Sequence, residues 1–239
     1  MKQLIKFEMK HYPQTATERF DDANFHINYC LSFFRKYIRG SVAEVGAGCG
    51  SFTRNYYNKN TKNIVLTEND ESQIRELKKK FIENSNISIS NFKISDFKSS
   101  FDTILYLHVL EHIDNDIEEI QNAKGKLNHN GHLIIMVPAH QKIYGNLDRA
   151  VGHYRRYEKE FFKNNFNGLK LINFKYLDSM GYILYYLNKI FFKNETFPSK
   201  LKIFIWDKFF TPISIILDFF TGYRFGKCIV AIYKKEGSS

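Results

Sequence analysis

Short apolar runs alternate along the chain with charged stretches whose apolar residues return every three or four positions. Val42-Ala43-Glu44-Val45, Ile64-Val65-Leu66, the stretch 87–94, Thr103-Ile104-Leu105-Tyr106-Leu107 and His132-Leu133-Ile134-Ile135-Met136-Val137 read as strands. Between them, 71–84 carries a helical stripe of Ile74, Leu77 and Phe81, and 21–37 carries Phe25, Tyr29, Phe33, Phe34 and Tyr37 at near-helical spacing. Val109-Leu110-Glu111-His112-Ile113 opens a further helix that runs to Leu127 and stops at Asn128-His129-Asn130-Gly131. Repeated strand–helix alternation predicts a parallel sheet with helices on both faces. Segments 170–177 and 226–234 read as two more strands. No repeat, linker or second-domain boundary interrupts the pattern, so one domain is expected over 1–239.

The first strand ends in Gly46-Ala47-Gly48-Cys49-Gly50, a turn in which glycine lets a ligand approach the backbone, and a helical segment is expected from near Ser51. Glu68 ends the next apolar run, where a carboxylate can accept both hydroxyls of a ribose. A dinucleotide fingerprint would place its third glycine one position later, at Ser51. The glycine triplet, with Glu44 ahead of it and Glu68 after it, resembles the first motifs of class I S-adenosylmethionine-dependent methyltransferases. The run Leu110-Glu111-His112 after the fourth strand resembles the same family more specifically. That resemblance implies an α/β, Rossmann-like, doubly wound fold: a mostly parallel seven-stranded sheet with an antiparallel final strand and helical lid insertions.

The resemblance also implies S-adenosylmethionine as cofactor, held by Glu44, Gly46, Ala47, Gly48, Gly50, Glu68, Asn69, Leu107 and His108. Asp96 resembles the position that meets the adenine amino group, with Phe97 on the ring; otherwise Asp96 makes a loop turn. The helix over 21–37 either covers the cofactor or caps the sheet. It belongs to an N-terminal cap (1–40) in which His11, Tyr12 and Pro13 form an extended arm or lid, ahead of a cofactor-binding core (41–138).

Segment 139–225 is expected to be a substrate loop and helical insertion, and 226–239 the last strand and a solvated tail. The loop 139–157 is polar and aromatic and follows a strand's carboxyl end, where substrates sit. Its pattern Tyr-Gly-x-x-Asp-x-x-x-Gly-His-x-Arg-Arg-Tyr, over 144–157, resembles a family branch found among surface-glycan biosynthesis enzymes. Methyl transfer needs an aligned acceptor, and a hydroxyl acceptor needs a base. The candidates are His153, then His140, Tyr144 and Asp148. Arg149, Arg155, Arg156 and Tyr157 are the substrate-binding candidates, because the arginine fork suits phosphate; the alternative is a solvated basic face. The expected acceptor is a small, anionic, glycan-related metabolite methylated on oxygen, with a lipid-linked glycan or a non-catalytic S-adenosylmethionine-binding protein as alternatives.

Composition narrows the rest. A net charge of +10 favours anionic partners in general. The fourth strand lacks the Asp/Asn-Pro-Pro-aromatic ending of base methylation, so no nucleic-acid partner is expected. Cys30, Cys49 and Cys228 are too scattered for a disulfide framework or a zinc site. His112, Asp114 and Asp116 read as a polar helix start, and no metal is expected. The N-terminus shows no signal-peptide pattern, and the apolar stretch 203–223 is broken by Asp207, Lys208, Pro212 and Asp218. A cytoplasmic protein is expected. The aromatic segment 181–221 reads as packed helices, a cover for the substrate pocket, or a surface meeting lipid at the inner membrane face.

Overall fold

The computed structural model describes residues 20–57, 61–164, 166–191 and 198–237; the arm expected around His11, Tyr12 and Pro13 lies outside them. Seven strands form one sheet in the order β3-β2-β1-β4-β5-β7-β6. They are β1 (Gly40–Val45), β2 (Thr61–Thr67), β3 (Ile87–Ser90), β4 (Phe101–Leu107), β5 (Leu127–Pro138), β6 (Leu169–Leu177) and β7 (Cys228–Lys235). β1 to β5 pair in parallel, and β7 runs antiparallel between β5 and β6. The order reverses beside β1, so the crevice past the carboxyl ends of β1 and β4 is where this architecture binds ligands.

Alternate strand residues feed two cores, as the period of two requires. Ala43, Ile104, Tyr106, Ile135 and Ala231 face α4 (Asp116–Gly125) and α6 (Lys159–Asn164). Val42, Leu66, Leu105, Ile134 and Val230 face α1 (Asn24–Phe34) and α3 (Glu71–Lys80). This is the expected doubly wound sheet, with both faces covered.

Four elements depart from the pattern read in the sequence. The glycine turn leads into a single helical turn, α2 (Thr53–Tyr56), in place of a full helix. β3 stops at Ser90 because it is an edge strand and its partner β2 ends opposite, at Thr67. Leu110–His112 is a 3-10 turn, not the start of a helix, because His108 adopts φ 59 and swings the chain away from β4. β5 begins at Leu127, and the expected stop at Asn128-His129-Asn130-Gly131 is an irregularity within that strand, with Asn130 at φ 60. At the other end, Lys235 still belongs to β7, and its ammonium donates to the carbonyls of Lys124 and Leu127.

The insertion after β5 supplies α5 (Asn146–Ala150), and that after β6 supplies α7 (Ser179–Phe191), α8 (Lys200–Ile205) and α9 (Thr211–Phe220). A π turn at Trp206–Phe210 joins the last two into one helix. Its inner face is polar: Asp207, Thr211, Ser214 and Asp218 are all buried. Burying carboxylates demands partners, and these have them. Asp218 accepts from the Tyr29 hydroxyl (2.6 Å) and from the backbone N–H of Asp178 (2.7 Å) and Ser179 (2.9 Å). Asp207 accepts from the backbone N–H of His26 at 2.9 Å. The helix is thereby pinned to α1 and to the start of α7, over the end of β6.

Candidate active site

A cavity of about 690 Å³ opens past the ends of β1 and β4, within the size range of small-molecule sites. At one end lies the glycine turn. Gly46 sits at φ 65, and a Cβ there would come within 2.8 Å of Val109, so only glycine fits. Glu68 fixes the turn: its carboxylate accepts from the backbone N–H of Gly48 (2.9 Å), Asn69 (2.7 Å) and Asp70 (3.0 Å). Glu44 lies beneath, accepting from the hydroxyls of Thr53 and Tyr56, each at 2.6 Å. Burial pushes its carboxyl up to about 7, against those two hydrogen bonds.

Of the residues expected to hold cofactor, Glu44, Gly46, Ala47, Gly48, Glu68, Asn69, Leu107 and His108 line this cavity, and Gly50, Asp96 and Phe97 do not. Gly50 is needed for packing, since a Cβ there would meet Phe81, just past the end of α3, at 2.7 Å. Asp96 is exposed and accepts from the backbone N–H of Lys93 (3.1 Å), the loop-turn alternative; Phe97 packs edge-on against Phe101. Because β3 ends early, Phe92 and Lys93 take the place beside Asn69, lining a small adjoining hollow with Val109. The sequence signal for them was the end of β3, which the alternating pattern through Ile94 concealed.

The opposite wall is built around Asp148. Its buried carboxylate accepts from the Gly145 N–H (2.8 Å), His153 Nδ1 (2.8 Å), Arg156 Nε (2.9 Å) and the Tyr185 hydroxyl (2.6 Å). Burial opposes its charge, yet His153, Arg156 and Tyr185 together hold it well below the usual carboxylate range. With Nδ1 engaged, His153 turns Nε2 toward Glu111, 3.9 Å away. Glu111 is fully buried, and neither of its carboxylate oxygens has a hydrogen-bond partner. His108 Nδ1 stands 3.4 Å from the same carboxylate. Enclosure opposes a charge on His108, but the neighbouring Cys228 and Glu111 push it up to about 10. Burial holds His112 down at about 4. Glu111, His112 and His153 each direct one ligand-type atom into a common space, all within 4.8 Å of one another.

His153 and Asp148 thus reach the cavity; His140 and Tyr144 do not. The His140 ring stacks on Tyr176 at 5.1 Å, and the Tyr144 hydroxyl donates to the His153 carbonyl at 2.6 Å, supporting the loop from behind. Among the substrate-binding candidates, only Arg156 lines the cavity. Arg155 turns outward to Asp116 (2.8 Å) and Asp114 (3.3 Å), and Arg149 packs over Tyr144 beside Asn146. Tyr157 is buried, with its hydroxyl donating to Asp116 at 2.7 Å. Asp116 is therefore an internal anchor, not a solvated helix start. Residues the sequence left unassigned complete the wall: Tyr185 of α7, Trp206 of the π turn, and Lys227, whose ammonium lies 3.1 Å from Asp178.

The raised Glu44 carboxyl has a consequence for stability. Between about 4.5 and about 7 the unfolded chain loses this proton before the folded chain does, so stability falls as pH rises through that window. Glu44→Gln is expected to remove that part of the slope, roughly 3 kcal/mol at most. Denaturant unfolding of both proteins across the window measures it; parallel slopes would contradict the assignment.

The sequence profile of the methyltransferase-domain family matches residues 23–174. No curated protein matches the chain. Among solved structures, the N-methyltransferase NodS from Bradyrhizobium japonicum WM9, in complex with S-adenosylhomocysteine, is similar at 15% identity, with TM-score 0.60 over 92% of this chain and 91% of that one. Coclaurine N-methyltransferase, bound to N-methylheliamine and S-adenosylhomocysteine, gives 14% and 0.58, covering 89% of this chain and 72% of that one. An S-adenosylmethionine-dependent methyltransferase from Clostridium acetobutylicum gives 14% and 0.55, covering 91% and 92%. At such identities the likeness is one of fold. The glycine cradle closed by Val109 and the backbone-anchored Glu68 beside an open cavity suit an adenosyl ligand. The chain therefore belongs to the methyltransferase-domain family, and S-adenosylmethionine is the cofactor that its cavity fits.

Proposed function

We propose that this protein methylates a hydroxyl oxygen of a small glycan-related acceptor, using S-adenosylmethionine. The observation that carries the reading is the Asp148–His153 pair: a histidine oriented through Nδ1 by a buried carboxylate, with Nε2 directed into the cavity. When bound, S-adenosylmethionine supplies a methyl group on a positively charged sulfur. Gly46, Gly48 and Glu68 would hold its adenosyl part, leaving the wall of Glu111, His112 and His153 for the acceptor. A hydroxyl is a weak nucleophile until its proton is removed, and an imidazole so held is suited to take it. Asp148 keeps the ring in one orientation and favours the charge formed on it, while Trp206, Tyr185 and Leu147 enclose the space against water.

The anionic character expected of the acceptor finds less support than its hydroxyl. Arg156 is paired with Asp148 and Lys227 with Asp178, while Arg149 and Arg155 lie outside the cavity. Any acceptor phosphate is therefore proposed to sit outside, near the basic surface. The glycan relation rests on the resemblance of the loop 144–157.

His153→Ala is expected to lower kcat by about 10²- to 10⁴-fold with a panel of sugar hydroxyl acceptors, leaving S-adenosylmethionine affinity within about twofold. Glu68→Ala should show the reverse pattern, weakening the cofactor at least about tenfold by loss of a ribose acceptor and of the turn's anchor. Methyl transfer to nitrogen alone, or full activity in His153→Ala, would contradict the reading.

A second reading, an acceptor carried on lipid, is favoured by the helix over 200–220. It is polar inside and apolar outside, the inverse of an ordinary surface helix. Leu201, Phe204, Phe209, Ile216, Phe219 and Phe220 are between 54% and 79% exposed along its outer side. Lys200, Lys202, Lys208 and Arg224 accompany them, and the chain carries +10, so an anionic lipid surface is the complementary partner. No helix among the described residues is long and apolar enough to cross a membrane. Trp206 of the same helix lines the cavity, which would bring the acceptor site close to that surface. The protein is expected to sediment with phosphatidylglycerol vesicles and not with purely zwitterionic ones. Phe219→Ser with Phe220→Ser should abolish sedimentation. Wild-type protein that stays in the supernatant would overturn this reading.

A further inference from the structure

We infer that Glu111, His112 and His153 form a binding site for a divalent transition-metal cation on the acceptor wall. The inference rests on reading this wall as the acceptor end, and it gives His153 Nε2 a ligand role in place of the base role proposed above.

The first observation is Glu111. It is fully buried, and neither carboxylate oxygen has a hydrogen-bond partner. Isolated burial of a carboxylate is costly, and such groups in folded proteins are paired or coordinate metal. What surrounds Glu111 is imidazole. His153 Nε2 is 3.9 Å from it on one side, and His108 Nδ1 is 3.4 Å from it on another. His112 completes a set whose ligand-type atoms all fall within 4.8 Å of each other. Tetrahedral ligand atoms 2.0–2.1 Å from an ion lie about 3.4 Å apart, so side-chain rotations that bring these atoms closer by about an ångström would close the set around one ion.

The second observation is how the set is held. His153 directs Nδ1 to the Asp148 carboxylate at 2.8 Å, the outer-shell arrangement that fixes a metal-bound histidine and leaves Nε2 for the ion. Asp148 is itself fixed by Gly145, Arg156 and Tyr185. Two imidazoles and one carboxylate suit zinc, iron, cobalt or manganese, and not calcium or magnesium, which favour all-oxygen sets. Three protein ligands leave further positions for an acceptor oxygen. A cation there would ease ionisation of a bound hydroxyl, and His153 would then serve as ligand while the hydroxyl proton passes to solvent.

The positions explain why sequence spacing conceals the set. Glu111 and His112 are adjacent on the turn after β4, whereas His153 arrives from the loop before α6. No short ligand motif contains all three.

The test is titration of metal-stripped full-length protein with Co²⁺, read by visible absorption, and with Zn²⁺, read by calorimetry. One equivalent is expected in wild type, with absorption bands of low-symmetry, nitrogen-ligated cobalt. Glu111→Gln should weaken binding at least about 100-fold, and Asp148→Asn about 10- to 100-fold. Glu68→Ala should bind metal as wild type does. S-adenosylmethionine titration of Glu111→Gln serves as the control for folding, with affinity expected within about twofold of wild type. Absence of a stoichiometric site in wild type, or undiminished binding by a folded Glu111→Gln protein, would overturn the inference. Metal binding without cofactor binding would instead preserve this site and remove the methyltransferase reading.

Discussion

The wall proposed here to face the acceptor depends on one buried carboxylate. Asp148 takes hydrogen bonds from Gly145, His153, Arg156 and Tyr185, drawn from the loop after β5 and from α7. Charge buried in this way is tolerable only when fully partnered, and removing the hub would leave Arg156 without its carboxylate inside the protein. The same bonds orient His153, bring Tyr185 down onto the cavity and lay the Arg156 guanidinium over the Tyr185 ring at 4.3 Å. A segment that looks like a long irregular loop in sequence is thereby made a rigid wall.

The other end depends on Glu68 in a complementary way. Its carboxylate ties together the turn after β1 and the turn after β2, at the ends of two strands that pair in parallel. The methyltransferase architecture thus has two anchors of the same chemical kind. One holds the glycine turn proposed to receive the cofactor, and the other holds the side chains of the proposed acceptor wall. Between them, the positive φ of His108 turns the chain after β4 so that Glu111 falls inside the cavity.

Much of this was legible in the sequence because it is local. The strands of the sheet, the glycine turn and Glu68 each announce themselves within a few residues. Long-range partners do not. Arg155 reads as a substrate ligand until Asp114 and Asp116, some forty positions earlier, are found beside it. His140 reads as a base until Tyr176 is found stacked on it. Glu111 was visible within the Leu-Glu-His run, but an ordinary helix start would have placed it on a surface. The polar stripe of Asp207, Thr211, Ser214 and Asp218 has helical spacing in the sequence. Only the donors supplied by α1 and α7 reveal that this stripe faces inward, leaving the aromatic side exposed.

A crystal structure with S-adenosylhomocysteine and an acceptor sugar would test the two-anchor account most directly. The account requires the ribose hydroxyls on Glu68 and the acceptor hydroxyl against His153 and Glu111, on the side of the sulfur that carries the methyl group. A ligand seated away from Glu68, or an acceptor oxygen pointing from the sulfur toward any other wall, would contradict it.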